Sequence, residues 1–508
     1  MPLRWRSEWL AAWLLSLLLT GLVFGRALFF DFVNLDDNSN LKKNPAMQEL
    51  SLAWRKPYLD AYLPVVYTVW GGLHAVAQDE RPRGNSVDTF TPIPSLDPLP
   101  FHLANLLLHA ANGVLLFLVL RTLLPAAPRQ IAGLLAVLFL LHPLQVEPVA
   151  WVTALKDVLS GFFALLLLLL YVQRPLSDYR GRQDVRRMVL LALVFLLACL
   201  SKSTRVVMPL FLVALGHLHW RQPLTRLMAD LWPLWLVATV VVLVAMAVQP
   251  PPKDMAYQDI WRRPLVAADA LVFYLQKLFW PVPLALDYGR NPRFLFESGA
   301  VWSTCWLPFL GAAGWWLLRR RLSPWLQLGM AGFVLGLLPL LGLQPFVFQT
   351  ISTVSDRYAY LSLALLFVGL LPLLQGLGHP RRVTLGLAVL VLACGLRSSA
   401  QLPAWRNSHT LWQHTLSVTP DSGIAHNNLA SIHEELGQAR EAIAHYEASF
   451  LRLPRADLCG RIAILHTDLG QWPQALHWLD KGLALAPDDP LLLQNRAVVL
   501  QQLRMRRF

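Results

Sequence analysis

Asp36 and Asp37 stand side by side in FDFVNLDDNSNLKKNP, just after the first membrane-length apolar segment. A carboxylate at a membrane boundary is costly to desolvate and needs a reason to be there. Apolar surroundings raise its basicity, and a base of that kind takes the proton from a hydroxyl that attacks another centre. Two acids alone would read as a helix cap or a solvated loop. Their place at the exit from the bilayer points instead to a base held over a lipid-borne substrate.

A second set of residues offers the opposite charge. His142, Glu147, Lys156 and Asp157 share the stretch HPLQVEPVAWVTALKD, Lys202 and Arg205 lie in SKSTR, and Asp356 and Arg357 lie in SDRYAYL. Each cation has an ordinary explanation in snorkelling to the headgroups, and Glu147 and Lys156 have one in a structural pair. Clustered, the cations suit the phosphate or pyrophosphate of a lipid carrier, with arginine's planar fork matched to phosphate oxygens. His102, Asn105, His109 and Asn112 recur three and four residues apart in FHLANLLLHAANGVLLF, which puts them on one stripe of a helix. Helix–helix hydrogen bonding is the ordinary reason for such a stripe. His102, nearest the outer end, is the member placed to meet a ligand. No P-loop, dinucleotide glycine pattern or HExxH occurs. The four cysteines, Cys199, Cys305, Cys394 and Cys459, form no CxxC pair, so neither a disulfide framework nor a zinc site is indicated.

The elements that must position these residues are membrane helices. Of 508 residues, 55% are apolar and only 15% charged, against about 25% charged in soluble domains, and the mean hydropathy is positive. The net charge of +13 sits in short links between apolar runs, the habit of cytoplasmic loops rather than of a nucleic-acid surface. Apolar runs near 10–30, 101–124, 130–143, 157–173, 188–201, 206–220, 230–248, 301–318, 325–343, 358–376 and 383–397 predict about eleven spans. The stretch 264–286 reads as interfacial, re-entrant or a further span. The first segment follows Arg4 and Arg6 like a signal peptide, but no small-x-small cleavage site follows it before Phe29, so it is expected to remain as a helix. Arg4, Arg6, the link 174–187, Arg221, Arg226, Arg319–Arg321, Arg381 and Arg382 then fall on one side, the inside. The loop with Asp36 and Asp37, the links around 142–157, 201–205, 249–263 and 344–358, and the chain after 398 fall on the other. The acids and cations thereby converge on one face.

From about residue 404 the composition becomes that of a soluble helical domain. A repeat of 33–34 residues is readable: Ala430, Gly437, Ala442, Tyr446 and Pro454 are followed by Ala463, Gly470, Ala475, Trp478 or Leu479, and Pro487. This is the tetratricopeptide pattern, two repeats and part of a third, a scaffold that presents a concave groove to peptides. The bland alternative is a packing platform.

In this order, VNLDDNSNLKKNP, YLPVVYTVW, FHLANLLLHAANGVLLF, HPLQVEPVAWVTALKDVL, SKSTRVVMPL, SDRYAYLSL, WRNSHTLWQHTL and HNNLASIHEELGQAREAIAHY resemble the transmembrane and tetratricopeptide-repeat O-mannosyltransferases (TMTC) and their bacterial relatives. The resemblance implies an all-α protein. It would have a GT-C-type membrane bundle over 1–400 with an external loop at 31–100, then a repeat domain over 401–508. It implies an inverting glycosyltransferase that moves mannose or a similar hexose from a polyprenyl-phosphate carrier to a hydroxyl, a protein Ser or Thr. Asp36 and Asp37 match the acidic pair that supplies the base, and Arg357 a phosphate contact, with Lys156, Lys202 and Arg205 beside it. His102, His142, Glu147 and Asp157 would support the site. Partners would be the lipid-linked sugar, membrane lipids and a protein acceptor held by the repeats, with no nucleic acid. No cofactor is called for, and a divalent metal is neither required nor ruled out. A bacterial inner membrane with the site on the periplasmic face fits the short basic links. Two features depart from the pattern. Leu63 stands where many members carry arginine, so a donor contact is either missing or supplied by Lys156, Lys202 or Arg205. Residues 78–100 read as an insertion with an acceptor or lid role. Outside this class, a membrane-anchored repeat scaffold without activity is the main alternative, and a transporter a weaker one.

Overall fold

In a bilayer an apolar run can satisfy its backbone only by closing hydrogen bonds within itself, as a helix. The computed structural model describes residues 3–77, 96–174, 182–249, 257 and 259–506, with the side chains of 3–7 and 182–183 excepted. Most of the insertion at 78–100 and parts of the links 174–187 and 249–263 therefore lie outside the described residues. Among the described residues the protein is all-helical, with no strand beyond an isolated bridge between Tyr58 and Ala61.

Five helical stretches are long and apolar enough to cross a membrane: Glu8–Phe29, Leu99–Leu123, Val152–Gln173, Asp356–Gln375 and Pro380–Trp405. Two bent pairs bring this to as many as seven among the described residues. Arg129–Leu141 turns by 50° into Pro143–Ala150, and Leu224–Asp230 by 68° into Trp232–Val248. The other apolar runs form helices that stop short or start charged. Met208–Trp220 ends at Arg221 in the left-handed region, Leu307–Leu318 has 12 residues, and Arg182–Ser201 opens on a charged turn. The stretch 264–286 yields the helix Arg263–Phe279, whose buried Asp269 is gripped by Arg290 at 2.6 Å and by the Thr304 hydroxyl at 2.6 Å.

The chain divides into two compact units. Of the described residues, the first holds those up to 77, 96–284 and 290–406, and the second 285–289 together with 407 onward. We label the helices of the first unit that bear on the site α1 (Leu3–Phe24), α2 (Leu99–Leu123), α3 (Arg129–Leu141), α4 (Leu155–Gln173), α5 (Pro324–Leu337) and α6 (Tyr360–Gln375). The polar stripe of α2 ties its neighbours together. The His109 Nε2–H donates to the Leu140 carbonyl at 3.0 Å, which leaves Nδ1 to accept from the Tyr360 hydroxyl at 2.9 Å. The Asn112 amide donates to that same hydroxyl at 2.7 Å and to the Val158 carbonyl at 2.9 Å. One tyrosine thus joins α2 and α6, and the two α2 side chains reach α3 and α4. The third polar residue, Asn105, donates to the Trp151 carbonyl at 2.9 Å and fixes the turn leading into α4.

The second unit is a series of antiparallel helices. Gly423–Glu435 pairs with Ala439–Arg452, Ala456–Asp468 pairs with Trp472–Leu485, and Pro490–Met505 follows. Gly437 and Gly470 make the two tight turns with positive φ, 33 residues apart, which a residue bearing a Cβ adopts only with strain. Ala430, Ala442, Tyr446, Ala463, Ala475 and Leu479 pack in its core. Asp287 anchors the segment 285–289, accepting from the Ser422 hydroxyl at 2.6 Å and the Gly289 amide at 2.7 Å.

In the first unit, α5 and α6 lie close together at Gly329 and Gly369, where a Cβ on Gly369 would overlap the Gly329 amide and the Trp325 carbonyl. Backbone cannot yield as a side chain can, so Gly369→Ala should lower stability by about 1–3 kcal/mol. Gly133→Ala, on α3 with open space around its Cβ position, should leave stability unchanged or raise it by up to about 1 kcal/mol. Thermal unfolding of both variants in detergent checks the contrast.

Candidate active site

The acidic pair splits into two different groups. After α1 the chain turns back so that Phe32 and Leu41 bury against Tyr67, Trp70, Phe101 and Leu155. Leu63 packs on the same cluster. This places the Asp37 carboxylate inside: Oδ2 accepts from the Val33 amide at 2.8 Å and Oδ1 from the Trp151 indole N–H at 2.9 Å. Burial raises the Asp37 carboxyl to about 7, with the neighbouring charge of Asp36 adding to the rise and the two N–H donors opposing it. Asp36, by contrast, faces outward with 44% of its side chain exposed. Its Oδ2 lies 3.9 Å from the Lys156 ammonium.

Trp151 is the centre of the cluster. While its N–H holds Asp37, its ring stacks on Trp405 at 6.0 Å and 26°. The Lys156 ammonium lies 5.5 Å from the ring centre and the Arg357 guanidinium 5.1 Å, within cation–π range. Phe348 and Tyr358 complete an aromatic collar around Arg357, at 4.7 and 4.9 Å.

Each of the remaining cations has a buried counter-ion. Arg357 pairs with Glu147, which also accepts from the Ser355 hydroxyl at 2.8 Å. Lys202 pairs with Asp157, while Arg205 donates to the Ser160 hydroxyl at 2.9 Å and lies 3.8 Å from Asp157. Burial pushes the Lys202 ammonium down to about 8; Asp157 opposes the fall, and Arg205 and Lys156 add to it. Tyr358 links the two pairs, with Lys202 5.4 Å from its ring.

Of the residues read from the sequence, Asp36, Asp37, Glu147, Lys156, Asp157, Lys202, Arg205 and Arg357 are linked by this chain of contacts. Two histidines are occupied elsewhere. His142 bridges the Leu278 carbonyl at 3.2 Å and the Leu144 amide at 3.3 Å, holding the bend after α3. His102 is buried edge-on against Phe30. Sequence reasoning missed Trp151, Tyr358, Ser160, Ser355 and Trp405. Trp151 and Tyr358 lie inside stretches already singled out, between Glu147 and Lys156 and next to Arg357; an aromatic residue flanked by charges was the available signal. Among the described residues no three His, Cys, Asp or Glu side chains are grouped to hold a metal ion.

Acids and cations gathered around one indole in an apolar helical unit can, chemically, meet an anionic group beside a carboxylate. Comparison with known proteins gives a partial likeness. Over 111 residues the chain is 34% identical to Protein O-mannosyl-transferase Tmtc1 of Drosophila melanogaster, a match that covers 22% of this chain and 12% of that protein. No family model matches the chain. The likeness supports a relationship to this type of glycosyltransferase and a place in a membrane.

The raised carboxyl of Asp37 has a signed consequence. Between its ordinary value of 3.8 and about 7 the folded state keeps a proton that the unfolded chain has released. Stability therefore falls as pH rises through that window, by ~1.4 kcal/mol per pH unit and about 4 kcal/mol in all. Asp37→Asn removes this slope but turns an amide N–H toward an N–H donor at every pH, a cost of about 1–3 kcal/mol. Thermal unfolding at pH 4.5 and pH 7.5 should show the wild type's advantage over Asp37→Asn shrinking at the higher pH.

Proposed function

We propose that the protein is an inverting membrane glycosyltransferase of GT-C type. It takes a hexose, mannose or a close relative, from a polyprenyl-phosphate carrier and passes it to the hydroxyl of a protein Ser or Thr on the extracytoplasmic face. The supporting observation is the division of the acidic pair: Asp37 is buried with both oxygens engaged, and Asp36 is left at the surface within 3.9 Å of a cation. Asp36 is the base. It takes the proton from the acceptor hydroxyl, whose oxygen attacks the anomeric carbon. The bond from that carbon to the phosphate oxygen breaks, and the electron pair leaves with the polyprenyl phosphate. Lys156, Arg357, Lys202 and Arg205 hold that phosphate as its charge grows. Glu147 and Asp157 keep the cations in place. Asp37 holds Trp151.

The short helical array of the second unit is a tetratricopeptide-repeat solenoid, supported by the 33-residue recurrence of its small residues and turn glycines. It presents the acceptor polypeptide in its groove. A site on the periplasmic side of a bacterial inner membrane is supported by the short basic links between apolar runs.

The test is sugar transfer in membranes supplied with labelled polyprenyl-phosphate mannose. Asp36→Asn should lower transfer by about 10²-fold or more while the protein inserts and purifies as the wild type does. Full activity in that variant removes Asp36 as the base. Absence of transfer by the wild type from any polyprenyl-phosphate sugar leaves the repeat scaffold as the better reading.

A further inference from the structure

Resting on the proposal of a lipid-phosphate donor, we infer that Lys156 is exchanged between Asp36 and the donor phosphate, so that donor binding is what releases the base. Three of the four cations are committed. Arg357 is held by Glu147 and Ser355, Lys202 by Asp157, and Arg205 by Ser160 and Asp157, all buried. Lys156 differs in three ways. Its contact with a carboxylate is 3.9 Å long, its side chain is 21% exposed, and its partner is the residue assigned as the base.

The chemistry of the two groups favours an exchange. An ion pair of this length between part-exposed side chains is weak, because water competes for both charges. A lysine ammonium is a point charge on a flexible four-carbon stem and can turn toward a phosphate without rebuilding a planar fork. The face of Trp151, 5.5 Å from the ammonium, gives the cation a surface to stay on while it changes partner. Before the donor arrives, Lys156 holds the carboxylate that would otherwise activate water or acceptor to no purpose. Once the phosphate has drawn Lys156 away, Asp36 is free to accept a proton. The donor binds first and the acceptor second.

The exchange predicts that the base and the donor compete for one cation, which binding measurements read without any turnover. The probe is farnesyl phosphate, titrated by calorimetry into the full-length protein in detergent. Asp36→Asn leaves Lys156 unclaimed and should bind the probe about two- to fivefold more tightly than the wild type. Lys156→Gln should bind it more weakly. The double variant should bind no more tightly than Lys156→Gln alone. Tightening that persists in the Lys156→Gln background would mean simple repulsion between Asp36 and the phosphate, and would overturn the exchange. Unchanged or weaker binding by Asp36→Asn overturns it as well. Lys156→Met serves in the same cycle if Lys156→Gln fails to purify. A wild type that binds no farnesyl phosphate counts against the donor reading itself, whereas a wild type that binds it with no competition from Asp36 defeats only the exchange.

Discussion

The hydrogen bond from the Trp151 indole to Asp37 is the contact around which the site is arranged. It fixes the plane of a large aromatic ring, and that plane determines where two cations can sit. It also separates the acidic pair, since Asp37 takes an indole N–H and a backbone N–H while Asp36 stays part-exposed. Trp405, stacked behind the ring, keeps it from turning. A polar stripe buried one layer deeper supports the turn that carries Trp151, through Asn105. Several residues that look like catalytic candidates in isolation are thus held in structural contacts.

Much of this was legible in the sequence, and the reasons are specific. Helical architecture followed from long apolar runs, which have one backbone solution in lipid. The grouping of Glu147, Lys156, Asp157, Lys202, Arg205 and Arg357 followed from charges placed at the ends of such runs, where burial forces opposite signs to meet. Less legible was which charge meets which. Spacing says that Lys156 and Asp157 are adjacent; it does not say that one faces Asp36 and the other Lys202, because helix rotation decides that. Nor does it separate Asp36 from Asp37, which differ only in the direction the chain takes after α1. About eleven apolar runs were read as spans, and five to seven helical stretches among the described residues are long and apolar enough to be one. Pro, charged residues and a left-handed Arg221 cut several of those runs into helices of 12–14 residues.

The polar stripe of α2 carries the same lesson in reverse. His102, Asn105, His109 and Asn112 lie on one face, as their spacing requires. A face is not a site, however. Tyr360 collects His109 and Asn112, and the carbonyls of Leu140, Val158 and Trp151 take further donors of His109, Asn112 and Asn105. In a low-dielectric interior these bonds are costly to leave unmade, and the stripe's energy goes into joining helices.

The pairing of buried charges also imposes an order on assembly during synthesis. Asp157 meets Lys202 after only 45 further residues have been made, whereas Glu147 waits 210 residues for Arg357. At about 5–20 residues per second, Glu147 spends roughly 10–40 s without its counter-ion. The helices carrying Asp157 and Lys202 can therefore settle early as a neutral pair. The turn bearing Glu147 stays provisional until Arg357 arrives from the ribosome.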